Sequence, residues 1–275
     1  MSAASGILLC AVLLAGCSWD APPVEWQAPS PIAAGVDTAA QYVARWTPGA
    51  SPELSVTTDS AASREPSGVL GACPGSVVST PMVRGHRWSA WWQIRPDSSA
   101  ALSSERRDST GAVQQRVVVD SLDRAQLGCA RPAPAIAADS VNGYVHVGYF
   151  MVAPEGPGVF YAHLMPQFSQ QFERPLAMVY GEKPVRVAVA SRGDTVAVAY
   201  EDPNSEAGRI ALSMSLTGGH LFDQTARIIP VSTSSQQASA PQIVRLAGGQ
   251  LWIGWTEDSQ SGSAFLLRRA AIVSR

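Results

Sequence analysis

The chain has 275 residues, 46% of them hydrophobic and only 15% charged, with a net charge of -2 at pH 7. Lys and Arg together number 20 and form no basic run, which excludes the cationic patch through which a protein displaces counterions from nucleic acid. The 23 Gly and 20 Pro gather in turn-like clusters, and this predicts many short strands rather than long helices.

The chain opens "MSAASGILLCAVLLAGCSWD". The apolar run over residues 7–16 has the length of a secretory h-region and is too short to span a bilayer as a helix. It ends in Leu14-Ala15-Gly16-Cys17, which resembles the bacterial lipobox. That resemblance implies removal of a signal peptide (residues 1–16) and a mature chain beginning at Cys17, S-lipidated and N-acylated, for example with palmitate. Two or three acyl chains anchor a protein stably where one does not. Ser18 after the cysteine implies, in a two-membrane bacterium, an outer-membrane address. The expected location is therefore the cell envelope, periplasmic or surface-exposed.

Of four cysteines, Cys10 leaves with the signal and Cys17 takes the lipid. Cys73 and Cys129 remain in an oxidising compartment, where a disulfide is the default expectation. The four histidines, His86, His146, His163 and His220, show no paired spacing near either cysteine, so no metal site and no cofactor are expected.

Past residue 30 the chain repeats. "SPIAAGVDTAAQYVARW", "TPMVRGHRWSAWW", "APAIAADSVNGYVHVGYF", "KPVRVAVASRGDTVAVAYED" and "SAPQIVRLAGGQLWIGWTED" share one layout. A proline (Pro31, Pro81, Pro134, Pro184, Pro241) opens an inner strand, glycines such as Gly143, Gly193, Gly248 and Gly249 turn the chain, and a second strand ends on Trp46, Trp91, Tyr149, Tyr200 or Trp255. Proline suits a strand's first residue because it cannot donate to the ladder. Third and fourth strands follow in most units, for example "GVFYAHLM" and "RPLAMVYG"; in the first unit the fourth is expected near Val69-Leu70. The period and strand content predict an all-β propeller of four-stranded antiparallel blades over residues 31–275, with five blades and six as the alternative. The last unit lacks a fourth strand. Residues 17–30, with "PPVEWQ", either supply it and close the ring or form a Pro-rich tether.

"SLTGGHLF" (residues 215–222) resembles the Asp-box, the S-x-D-x-G-x-T-W hairpin of sialidase-like (BNR-repeat) propellers. Ser215, Gly219 and the aromatic Phe222 match, while Thr217 and Leu221 replace the Asp and Thr. "RRDSTGAV" in the second unit keeps an Asp-x-x-Gly turn. The resemblance implies a sialidase-like propeller and a structural, not catalytic, role for the loop.

Arg84, Arg186 and Arg245 lie on the expected inner strands and are the candidate ligand-binding residues; strand parity puts Arg186 and Arg245 on one face and Arg84 on the other. A sialidase-type site needs an arginine triad with a Tyr/Glu pair and an acid. The acidic pairs Glu201-Asp202 and Glu257-Asp258 read as turn residues, and Asp139 is the one acid on the inner strands. Trp88, Trp92 and Trp252 read as packing between blades more than as a sugar-stacking platform. No catalytic residue is assigned. The expectation is a monomeric, membrane-anchored binding or scaffolding propeller for a glycan or protein ligand. The alternative is a sialidase-like or other glycoside hydrolase working at the channel mouth.

Overall fold

A computed structural model describes residues 24–32, 35–39, 42–46, 53–56, 71–124, 127–222, 228–233, 235–245 and 249–272. For the segments within 35–56 this is the backbone alone. Cys17, Val69, Leu70 and Gly248 lie outside the described residues.

The chain starts with β1 (Val24–Trp26) and β2 (Ser30–Ile32), whose partners come last. The first blade holds β3 (Gly35–Ala39), β4 (Tyr42–Trp46) and β5 (Glu53–Val56). The second holds β6 (Val78–Ser79), β7 (His86–Ile94), β8 (Ala100–Asp108) and β9 (Val113–Asp123). The third holds β10 (Ala135–Ala138), β11 (Val145–Ala153), β12 (Gly156–Leu164) and β13 (Leu176–Tyr180). The fourth holds β14 (Val187–Arg192), β15 (Thr195–Glu201), β16 (Ile210–Ser215) and β17 (Ile229–Pro230). The fifth holds β18 (Gln237–Arg245), β19 (Gln250–Ser259) and β20 (Gly262–Ile272). From β3 to β20 every pairing is antiparallel between neighbours in sequence, as a propeller requires, and five sheets stand among the described residues.

Both β1 and β2 pair with β20: Val24 with Ile272, Trp26 with Ala270, Ser30 with Leu267 and Ile32 with Phe265. Residues 24–32 thus supply the outer strand that the last unit lacks. The edge of β20 is covered, which removes an unpaired row of N–H and C=O groups.

Three details of the repeat differ from the sequence reading. Pro31 lies in β2, paired with Leu266, so it closes the fifth blade rather than opening the first, which begins at Gly35. Pro81 follows β6 instead of opening it. Residues 83–86 make a tight turn with Arg84 at φ 51° and Gly85 at φ 77°, and a chain with both central residues left-handed reverses instead of extending. Pro241 sits inside β18 at a bulge between Ser239 and Gln242, where the missing N–H interrupts nothing.

The strands are apolar on both faces because each sheet is covered on both sides. On β11, Val147 and Tyr149 pack with Trp92 and Leu102 of the second blade, while Phe150 packs with Val187 and Val198 of the fourth. Gly148 marks the closest approach: a β-carbon there would lie 2.8 Å from the methyls of Val187 and Val189. Trp91, Tyr149, Tyr200 and Trp255 do not end their strands as expected, since β7, β11, β15 and β19 each run on past them; all four are fully buried, and Trp88, Trp92 and Trp252 are buried as well, so these rings fill the wedges between blades. Cys73 and Cys129 are disulfide-bonded, with Cα atoms 5.2 Å apart. The bond ties the segment entering the second blade to the connection between the second and third.

Candidate functional site

Strand direction decides which loops share a face. In an antiparallel blade, the turn joining strands one and two and the loop joining three and four emerge at the same end. That end, the hairpin face, gathers Arg84-Gly85, residues 139–144, residues 165–175, Gly193-Asp194 and residues 216–222.

At the centre of this face, Val83, Arg84, Ala137, Ala138, Ser140, Val189, Ala190, Ser191, Arg192, Ile243 and Val244 line the channel mouth, a cavity of about 430 Å³ with Pro81, Met82 and Ile136. Among the described residues no carboxylate lines it. The three candidate arginines are not brought together. The Arg84 guanidinium reaches across to the third blade and donates to the carbonyls of Ser140 and Val141. Arg186 is exposed just before β14, at the far end of that strand from Arg192, roughly 20 Å away for six residues of extended chain. Arg245 ends β18; its side chain lies outside the described residues. The parity argument failed for Arg84 because it sits in a turn, not in a strand.

The acids have structural duties. Glu201 accepts from the backbone N–H of Arg186 (3.1 Å) and of Ala240 (2.8 Å), pinning the fourth blade to the bulge of the fifth. Asp202 accepts from the Asn204 N–H, and Glu257 from Trp255 Nε1. Asp139, fully buried, accepts from the N–H groups of Val141 and Asn142 and shapes the β10–β11 turn.

Between the second and third blades, beside the mouth, lies a cleft of about 250 Å³. Arg84, His86, Arg106 and Gln167 supply its polar lining and Trp88 its floor. Arg106 lies over the Trp88 ring, 5.8 Å from its centroid. Arg106 Nε and His86 Nδ1 are buried with no hydrogen-bond partner. The nearby acids are committed elsewhere. Glu105, fully buried, is held by Arg107 and by Arg116 at 2.8 Å. Asp108 accepts from Thr110, Ala112 and Gln114, and these bonds hold its carboxyl below the usual range. The cleft is therefore cationic, with the Arg106 Nε–H donor unused.

On the opposite side of the third blade, three of the four histidines meet. His146 and His163 are cross-strand partners on β11 and β12, with rings 6.2 Å apart. His220 arrives from the loop after β16, its ring 4.7 Å from that of His163. Glu173, from the β12–β13 loop, brings Oε2 to 3.5 Å from His163 Nε2 and 4.0 Å from His220 Nδ1. Tyr144 flanks all three rings, and Tyr161 Oη lies 2.7 Å from His146 Nδ1. Burial, with the two other imidazoles adding, pushes His146 down to about 3. Burial also lowers His163, with Glu173 opposing. Both rings are neutral near pH 7. Sequence spacing concealed this cluster, yet half of it was accessible: His146 and His163 are equidistant from the turn at residues 153–156.

The loop carrying His220 is the Asp-box-like segment. Ser215 Oγ accepts from the N–H groups of Thr217 and Gly219, and the Thr217 hydroxyl accepts from Leu221 N–H at 3.1 Å. Thr217 thus does what a side-chain acceptor at that position must do, without a carboxylate. Phe222 is buried against Tyr161, ring centroids 4.5 Å apart, and locks the loop to the third blade.

With this geometry established, the solved structures similar to the chain include the phage phi92 endosialidase, which matches with a TM-score of 0.50 at 9% identity, covering 82% of this chain and 39% of that one. The fold is a sialidase-like β-propeller. Other similar structures are a polysaccharide lyase, an ulvan lyase bound to a glucuronate–sulfated rhamnose unit (TM-score 0.43, 12% identity, 68% of this chain and 45% of that one), and the Trypanosoma rangeli sialidase in complex with the inhibitor DANA (0.45, 9%, 83% and 38%). The sialidase-like chain spans less than half the length of these proteins. No protein-family model and no curated protein sequence matches it.

Proposed function

We propose that this protein is a lipid-anchored envelope propeller that binds an acidic glycan, without cleaving it, in the cleft between its second and third blades. The observation that carries the reading is the Arg106 guanidinium with an unused donor, beside Arg84 and an unpartnered His86 Nδ1, with no carboxylate among the described lining residues. Guanidinium groups pair with carboxylates and sulfates through charge-assisted hydrogen bonds. The likeness to the phage endosialidase extends to fold alone; the acidic-sugar reading rests on the charge of the cleft. Hydrolysis at the channel mouth is the weaker reading, since among the described residues the mouth offers no acid to protonate a leaving group.

Calorimetric titration with oligosaccharides ending in a uronic or sialic acid, alongside their neutral counterparts, tests this. The expected result is binding of the acidic sugars alone, weakening with salt. Equal binding of neutral sugars, or release of a cleaved product, would overturn it. The anchor, which rests on Leu14-Ala15-Gly16-Cys17, is tested separately by Cys17→Ser, which should release the protein from membranes; unchanged retention would refute it.

A further inference from the structure

We propose that His163, Glu173 and His220 form a binding site for a divalent first-row metal ion, zinc above all, at the junction of the third and fourth blades. Three lines of geometry converge on it. First, the donor atoms lie within 4.8 Å of one another, and Glu173 Oε2 stands between the imidazoles at 3.5 and 4.0 Å. Zinc–nitrogen and zinc–oxygen bonds of ~2.0–2.2 Å at tetrahedral angles place neighbouring ligand atoms ~3.4 Å apart, so closing on an ion needs the widest pair to approach by at most ~1.4 Å, shared between two side chains. Second, His163 Nε2 is buried with no hydrogen-bond partner, and so is Nε2 of the adjacent His146. A buried ring nitrogen left unpaired is costly, and an ion beside His163 Nε2 removes that cost. Third, the ligands come from three elements already fixed by other contacts: β12, the β12–β13 loop and the Asp-box-like loop. Phe222, packed on Tyr161, holds the last of these in place.

The ligand set selects the metal. Two imidazoles and one carboxylate suit zinc and its first-row neighbours, whereas calcium and magnesium prefer oxygen alone. Glu173 and His220 are both about two-fifths exposed, so the site opens to solvent on one side and the fourth ligand is a water molecule or a donor from a bound molecule. The site is separate from the cationic cleft, with the third blade standing between them, and does not depend on the glycan reading.

The test uses the full-length protein, purified without a His tag, stripped with chelator and titrated with zinc chloride and with cobalt(II). One zinc per chain is expected, with a rise in melting temperature and the visible absorption of four-coordinate cobalt. His220→Ala and Glu173→Gln, both solvent-facing and so tolerated by the fold, should each weaken zinc binding at least about 100-fold, as the loss of a direct ligand exceeds the loss of an outer-shell partner. His86→Ala should leave it unchanged. Absence of stoichiometric zinc uptake, or equal uptake by the His220→Ala and Glu173→Gln variants, would overturn the proposal.

Discussion

The hydroxyl of Tyr161 occupies the space that a β-carbon on Gly219 would need. The ring carbon Cζ would be 2.9 Å from such an atom, and Gly219 has φ of 96°, a conformation side chains avoid. Gly219→Ala therefore combines a backbone penalty with a collision against a ring packed on both sides. We expect a loss of about 3 kcal/mol in urea unfolding. Gly218→Ala, with φ of 67° but its nearest neighbour 3.5 Å away, should cost about 1 kcal/mol. Equal losses at the two positions would contradict the collision.

The cationic cleft separates two arginines by their duties. The Arg106 side chain makes no hydrogen bond among the described residues and lies over the Trp88 ring, so Arg106→Gln should lower acidic-glycan affinity about 10- to 100-fold while costing about 1 kcal/mol of stability or less. Arg84 also ties the second blade to the turn at Ser140 and Val141. Arg84→Gln should weaken binding and lower the melting temperature together. Titration and thermal scans on the two variants would show the difference.

The disulfide between Cys73 and Cys129 closes a span of 56 residues. Loop-closure entropy for that length is worth about 4 kcal/mol. Cys73→Ser with Cys129→Ser should lower the denaturation midpoint by a matching amount. Added reductant should then have no further effect on the double variant while still destabilising the native chain.

Asp120 sits under Tyr149, whose hydroxyl donates to it at 2.7 Å. Burial raises its carboxyl above the ordinary value, against the opposing bonds from Leu122 and Tyr149. The folded protein thus holds a proton that the unfolded chain releases first. This group's stabilising contribution is complete below the ordinary carboxyl value of 3.8 and is lost as pH rises through the raised one. Asp120→Asn removes that dependence. At pH 7 the variant should be as stable as the native protein or more so, and the difference should shift in favour of the native protein as pH falls from 7 to about 3.8. Denaturation curves at both values would reveal the opposite trend if burial did not govern this group.

The repeat was legible because its punctuation is local. Pro134, Gly143 and Tyr149 each encode a backbone or packing requirement at one point of the chain, and the structure places them at a strand start, a turn and an inter-blade wedge. The channel arginines were not legible, because strand parity was applied to Arg84, which lies in a turn with positive φ. The histidine cluster needs three segments brought together by blade stacking, and no spacing records that. Arg106 went unnoticed for a related reason. Its significance comes from Glu105 next to it being taken by Arg107 and Arg116, a matter of pairing rather than of sequence.

The pairing of β1 and β2 with β20 has a consequence for how the protein is made. The Ser30 hydroxyl reaches the Leu267 carbonyl 237 residues later, and Arg268 reaches back 241 residues to the Gln27 carbonyl. Synthesis delivers the N-terminal strands first, so they wait unpaired until β20 has been made. A product cut short before β20 is then not a smaller propeller but a stack of sheets with exposed edges at each end, open to proteolysis. The seam thus serves as a completeness check, admitting to the folded population only chains that were synthesised through to β20.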